Sequence, residues 1–220
     1  MDIHEQKTAL RHDIKKILHN SPVQELFPRF FESVKAFAPY RQAATVLLYS
    51  SLKEEAPTQK LIDLCLADNK ITALPKVRLP YAEKKMHKQQ TADGMDFFIL
   101  SAALPLCEQT ETGVFGIAEP NARCPRLELC KTVFPLLIFI PGLAFTADGR
   151  RLGRGGGFYD RYCARLQKYA AQNADNGCVP KAVYAGYCRS IQVVDTLPAE
   201  AHDLRTDFLI TENGIQSCKI

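Results

Sequence analysis

The chain has 220 residues, 46% of them hydrophobic and 24% charged, and it carries a net charge of +4. That length suffices for one α/β domain with a sizeable core, or for two small ones. No apolar run reaches the length of a bilayer span, and the charge is too mild to demand nucleic acid as a partner while remaining compatible with small anionic ligands.

A first helix is expected over residues 5–18, where Leu10, Ile14, Ile17 and Leu18 form one stripe and Lys7, Arg11 and Lys15 share another face. It reads as an N-terminal arm, about residues 4–19, laid against or beside the core. Ser21-Pro22 starts a second helix, with serine as cap and proline in the first turn. Its buried face is Val23, Leu26, Phe27, Phe30, Phe31, Val34 and Phe37. Residues 44–50 are almost wholly apolar and read as a strand buried on both sides. A loop with Glu54 and Glu55 follows, then a helix opened by Pro57-Thr58 with Leu61, Ile62, Cys65 and Leu66 as its stripe. Residues 71–74 form a second strand, ended by Pro75. This is a βαβ unit, which implies parallel pairing.

Residues 76–93 are polar and basic and predict a loop or hairpin, with a strand at 95–100. The stretch 101–132, with its prolines and Gly113-Val114-Phe115-Gly116, predicts turns and extended segments. Residues 136–140 are the clearest central strand. A glycine-rich loop, a helix over about 158–171 and strands at 182–185 and 207–211 complete the order. No repeat, linker or boundary breaks the chain, so residues 1–220 read as a single layered α/β domain. The opening residues show no basic segment followed by an apolar one, so no signal peptide is expected. The eight cysteines lack C-x-x-C spacing and read as buried free thiols of a reducing cytoplasm. Cys124 and Cys130, which flank an irregular stretch, are the pair that offers itself to a metal.

The informative segment is residues 141–161, between an apolar strand and a helix, where open α/β sheets bind ligands. Gly153, Gly155, Gly156 and Gly157 permit positive φ and close approach of a ligand to backbone amides. The following helix adds the positive end of its dipole. Arg151, Arg154 and Arg161 add full charges with phosphate-gripping geometry. The pattern is neither a Walker A loop nor a dinucleotide fingerprint. Asp160, in the first helical turn, is either a dipole-stabilised structural acid or a magnesium ligand beside phosphates. Asp203 is a second acid of the same kind.

Taken together, Pro141-Gly142-Leu143-Ala144-Phe145 and Gly149-x-Arg151-Leu152-Gly153-x-Gly155-x-Gly157-Phe158-Tyr159-Asp160-Arg161 resemble the signature of 5-formyltetrahydrofolate cyclo-ligases. Supporting pieces stand in that family's order: Lys7-x-x-x-Arg11, Glu55 after the first strand, Leu74-Pro75, Glu119-Pro120 and His202-Asp203. The resemblance implies a three-layer αβα sandwich with a mostly parallel central sheet, like the sugar isomerases and CoA transferases. It implies that ATP phosphorylates the formyl oxygen of 5-formyltetrahydrofolate, that N10 attacks the activated carbon, and that phosphate leaves. It also implies roles. Lys7, Arg11 and the stretch Arg151, Leu152, Gly153, Arg154, Gly155, Gly156, Gly157, Phe158 and Tyr159 would bind ATP, with Arg154 and Tyr159 catalytic. Ser50, Glu55 and Arg154 through Phe158 would contact the folate, Glu55 gripping the pterin with Glu54 as the neighbouring alternative. Asp160 and Asp203 would hold Mg2+.

The usual Tyr-Tyr-Asp of that family is Phe158-Tyr159-Asp160 here, which keeps the ring and loses one hydroxyl. The implied partners are 5-formyltetrahydrofolate and ATP, with no nucleic acid and no membrane, in a cytoplasmic monomer or weak homodimer. Three rival readings compete with this one. A sugar-phosphate isomerase of similar fold would need no ATP. A non-catalytic folate-binding or regulatory protein on this fold would have no need of a magnesium site. A nucleic-acid module on residues 76–90 lacks the aromatic stacking pattern such a module uses.

Overall fold

A computed structural model describes residues 2–21, 27–78, 94–174 and 181–218. Helix α1 (Ile3–His19) begins with a capping box: Asp2 accepts from the Glu5 amide at 2.8 Å, and Glu5 accepts from the Asp2 amide at 3.0 Å. The helix start expected at Ser21-Pro22 falls largely outside the described residues. Helices α2 (Phe27–Ala36) and α3 (Ala38–Gln42) lead into strand β1 (Thr45–Leu47), which is shorter than the apolar run that predicts it. Then come α4 (Gln59–Ala67), β2 (Ile71–Arg78), β3 (Gly94–Ile99), α5 (Leu106–Gln109), β4 (Thr110–Thr112), β5 (Ala118–Pro120) and β6 (Leu136–Ile140). The chain finishes with β7 (Ala144–Phe145), β8 (Arg151–Leu152), α6 (Phe158–Gln172), β9 (Ala182–Tyr187), β10 (Phe208–Thr211) and β11 (Gly214–Ser217).

Seven strands form one sheet in the order β11-β10-β9-β6-β1-β2-β3. The five from β10 to β2 run parallel, and the outer pairs β2–β3 and β10–β11 are antiparallel. Alternation along β6 divides the core. Leu137 and Phe139 pack with Phe30, Val34 and Tyr40 of α2 and α3 and with Leu61 and Ile62 of α4. Leu136, Ile138 and Ile140 pack with Tyr162, Cys163 and Leu166 of α6. Helices therefore cover both faces, as the all-apolar reading of β6 requires.

Strand β2 does not end at Pro75. It continues to Arg78, with Pro75 opposite Phe97 of β3. The parallel partner β1 reaches only to Ala73 in register, so from Pro75 onward the missing N–H deprives no strand of a hydrogen bond. Of the segment 76–93 expected as loop or hairpin, residues 76–78 belong to β2, which pairs antiparallel with β3, and 79–93 lie outside the described residues. Strands β7, β8 and β11 are too short or too polar to show periodicity. They exist because the chain folds back on itself: β7 pairs with β8, and β11 pairs with β10.

Gly149 turns the β7–β8 hairpin at φ +83°, and a Cβ there would sit 2.3 Å from the Thr206 carbonyl oxygen. Gly116 has a similar φ, +72°, with nothing within 4 Å of an added Cβ. Gly116→Ala should therefore cost only the left-handed backbone penalty, about 1–2 kcal/mol. Gly149→Ala adds a clash with backbone and should cost about 3 kcal/mol or more. Urea denaturation of the two variants measures the difference, and equal costs would refute the packing argument.

Candidate active site

Strand β1 leads on to β2 in one direction across the sheet, and β6 leads on to β9 in the other. The crevice outside the carboxyl ends of β1 and β6 is the topological switch point, where such sheets place ligands. The loop after β1 is tied by its own side chains. Ser51 Oγ accepts from the Thr58 amide at 3.3 Å, and Thr58 Oγ1 accepts from the Ser51 amide at 3.1 Å. Within it Glu55 is buried, and its Oε2 accepts from the Leu52 amide at 3.0 Å. Ser50 lies at the start of this loop and donates to the Ala118 carbonyl at 2.5 Å, so it faces β5.

The loop after β6 supplies the other wall. Gly155 (φ +105°) and Gly157 (φ +61°) have left-handed backbones, and Gly157 precedes α6 with no side chain capping the helix. The amides of Phe158 and Tyr159, the first two of α6, donate to no capping side chain and suit an anion. Arg154 reaches across to the β1 loop. Its Nε and Nη2 donate to Glu55 Oε1 at 3.0 and 2.8 Å, and Nη2 lies 3.3 Å from Glu54 Oε1. Both glutamates of the sequence reading therefore meet Arg154, with Glu55 as the buried and better-bonded partner.

Arg151 is buried rather than free. Its Nη2 donates to both oxygens of Asp160 at 2.7 and 2.8 Å, and its Nη1 to the Pro141 carbonyl at 3.1 Å. Asp160 Oδ1 also accepts from the Leu204 amide at 3.1 Å, which draws α6 to the residue following Asp203. Tyr159, next to Asp160, is half-buried, and its shielded hydroxyl has no hydrogen-bond partner among the described residues. Burial, and then the charge of Glu55, hold that phenol protonated well above its ordinary pKa, so it is a donor without an acceptor. Phe158 takes the Arg161 guanidinium over its ring at 5.2 Å.

Helix α1 closes the far side, its Ile14 and Leu18 packed on Leu143, Ala144 and Leu152. Arg11 Nε donates to the Gly153 carbonyl at 3.0 Å, so this cation stands at the glycine loop. Lys7 is 7% exposed, and its Nζ bridges Glu200 Oε2 at 2.8 Å and Asp203 Oδ2 at 2.7 Å. Among the described residues, one group of three or more possible metal ligands lies within 4.8 Å: Glu200, His202 and Asp203. Asp203 Oδ1 takes no hydrogen bond from a described residue, and carboxylate oxygens suit a hard divalent cation such as Mg2+. Asp160 offers the same chemistry but is already satisfied by Arg151. Of the two aspartates, Asp203 is thus the freer acid and the one whose open oxygen suits a divalent cation.

Contacts thus join Lys7 to Asp203, Arg11 to the glycine loop, Arg151 to Asp160 and Arg154 to Glu55. Two participants were not legible beforehand. Glu200 shares Lys7 with Asp203, and its only sequence signal is its place three residues before that acid. Gln192 is buried and staples two loops, donating to the Gly142 carbonyl at 2.7 Å and accepting from the Arg189 amide at 2.8 Å. A lone glutamine carries no pattern. The cysteines stay outside the chemistry. The seven described ones are unbridged, and burial pushes the Cys65 and Cys163 thiols up to about 12. Cys124 is buried and Cys130 exposed, and neither joins a ligand cluster among the described residues.

Comparisons with known proteins agree on one family. The model of the 5-formyltetrahydrofolate cyclo-ligase family matches residues 3–212. The chain is 25% identical to the 5-formyltetrahydrofolate cyclo-ligase of Mus musculus over 96% of each chain. It is 30% identical to that of Haemophilus influenzae over 74% of this chain and 73% of the other. Among solved structures it resembles Aquifex aeolicus 5,10-methenyltetrahydrofolate synthetase, with a TM-score of 0.69 and 26% identity, covering 97% of this chain and 93% of that one.

Proposed function

Because the chain belongs to the 5-formyltetrahydrofolate cyclo-ligase family, we propose that it catalyses the ATP-dependent closure of 5-formyltetrahydrofolate to 5,10-methenyltetrahydrofolate, with release of ADP and phosphate. The observation that carries this reading is the meeting of the Arg154 loop with Glu55 at the switch-point crevice. It supports reading the glycine loop as a phosphate cradle beside a carboxylate able to take the paired N–H donors of a pterin.

The reaction needs no protein nucleophile. The γ-phosphoryl group passes to the formyl oxygen, N10 attacks the activated carbon, and the C–O bond breaks as phosphate leaves. The protein's work is positioning and charge neutralisation. Gly153 to Gly157 and the first amides of α6 cradle the phosphates, Arg11 and Lys7 approach from α1, and Arg154 follows the charge that moves to the formyl oxygen. Tyr159 gives its unpartnered hydroxyl to a bound ligand, and Ser50 lines the folate side. Mg2+, held by Asp203 and Asp160, would supply further neutralisation of phosphate charge. In this reading residues 1–220 act as one cytoplasmic domain, as a monomer or weak homodimer. No described helix is long and apolar enough to cross a membrane.

The test is the near-UV absorbance of the methenyl product on mixing the chain with 5-formyltetrahydrofolate and MgATP. A rise that requires both ATP and magnesium is expected. A folded chain that binds the folate without any rise is instead a non-catalytic folate-binding protein.

A further inference from the structure

Arg154 and Glu55 carry the implied catalytic cation and the implied pterin acid, and here they are spent on each other. Oε2 of Glu55 is fixed by the Leu52 amide, so Oε1 is the oxygen open to a ligand, and Arg154 holds it with two donors at 3.0 and 2.8 Å. A ligand with paired N–H groups that takes Oε1 competes with that guanidinium. Both arginine bonds converge on one oxygen instead of forming a two-oxygen fork, which is the stronger geometry. Arg154 is a third exposed, whereas Glu55 is buried. Glu54, 3.3 Å from Arg154 Nη2, keeps a carboxylate within the arginine's reach when Glu55 is taken. Tyr159, at the start of the helix that follows the same loop, has a buried hydroxyl lacking any partner among the described residues.

We propose that Arg154 is a latch on Glu55 that the folate opens: the pterin takes over the Glu55 carboxylate, Arg154 turns to the polyphosphate, and the two substrates thereby bind with positive coupling. This rests on the cyclo-ligase reading and extends it from which groups bind to the order in which they become available. Coupling of this kind is reciprocal, since each ligand relieves the other of breaking the same ion pair. It also leaves the arginine poorly placed for phosphoryl transfer until a folate is present to receive the group.

Titration calorimetry with a non-hydrolysable ATP analogue and magnesium, with and without saturating 5-formyltetrahydrofolate, tests the latch. The analogue should bind the wild-type chain about tenfold more tightly with folate present. Glu55→Gln keeps an acceptor for the Leu52 amide but removes the charge that holds Arg154. It should bind the analogue more tightly without folate and show no folate effect. Arg154→Gln should bind folate at least as tightly as wild type and also lose the coupling. Thermal melts establish that both variants fold. Equal analogue affinity with and without folate in the wild type overturns the latch. Failure of the folded wild type to bind either ligand instead overturns the cyclo-ligase reading beneath it.

Discussion

Replacing Asp160 with asparagine should lower the rate of methenyl product formation about 10²–10³-fold at saturating ATP, the range seen when a preorganised charge-stabilising group is lost. Asparagine keeps an oxygen for Arg151 and for the Leu204 amide, so the link between α6 and residues 203–204 survives. What disappears is the negative charge, and with it both the counter-charge to buried Arg151 and an anionic oxygen for magnesium. The variant should be less stable by about 1–3 kcal/mol, less than the cost of removing one partner of a buried pair outright. Burial alone would raise the Asp160 pKa, but the Arg151 charge, its hydrogen bond and the Leu204 amide hold it below the ordinary 3.8. A depressed folded pKa gives stability that is full above the unfolded value and is lost as pH falls through the folded one. The stability gap between wild type and variant, from urea melts, should thus be wider at pH 7 than at pH 3. A rate within about tenfold of wild type would remove Asp160 from the metal role and leave it the anchor of Arg151.

The sheet was legible where apolar runs are long and unbroken. Residues 136–140 coincide with β6, and the predicted helices over 5–18 and 158–171 match α1 and α6 to within two residues at either end. It was illegible where pairing alone makes the strand. Two-residue strands such as β7 and β8 carry no periodicity, and Pro75 reads as a stop unless one knows that β1 has already ended beside it. The site shows the same division. The glycines and arginines of 151–157 declare a phosphate cradle because their chemistry is local. Their partners do not, because contacts such as Arg154 with Glu55 or Lys7 with Glu200 join residues about a hundred or more apart in the chain. Arg151 is the instructive case. Its sequence context says phosphate contact, whereas its burial and its hold on Asp160 show that it also shapes the site from beneath.

Lys7→Met should raise the KM for ATP about 10–100-fold and change the KM for folate far less. Methionine preserves most of the buried side-chain stem, so the substitution removes chiefly the ammonium that bridges Glu200 and Asp203. Glu200 is 41% exposed and Asp203 19%, so solvent screens the first pair and rehydrates both acids when the lysine is gone. The stability loss should accordingly stay near 1 kcal/mol, below that of breaking a fully buried pair. Burial would lower the Lys7 pKa, but its bonds to Asp203 and Glu200 outweigh burial and raise it above 10.5. Its contribution is therefore complete at neutral pH and is lost only as pH rises through that raised value. The kinetic pattern separates two roles for α1. If Lys7 only straps the helix to residues 200–203, its loss frees the whole arm, and both KM values rise together with the loss of stability. If it meets ATP phosphates, the ATP term moves alone. Arg11 provides the internal comparison, because its anchor on the Gly153 carbonyl is independent of the acid pair. A Lys7→Met chain with unchanged KM for ATP would confine the nucleotide contacts of α1 to Arg11.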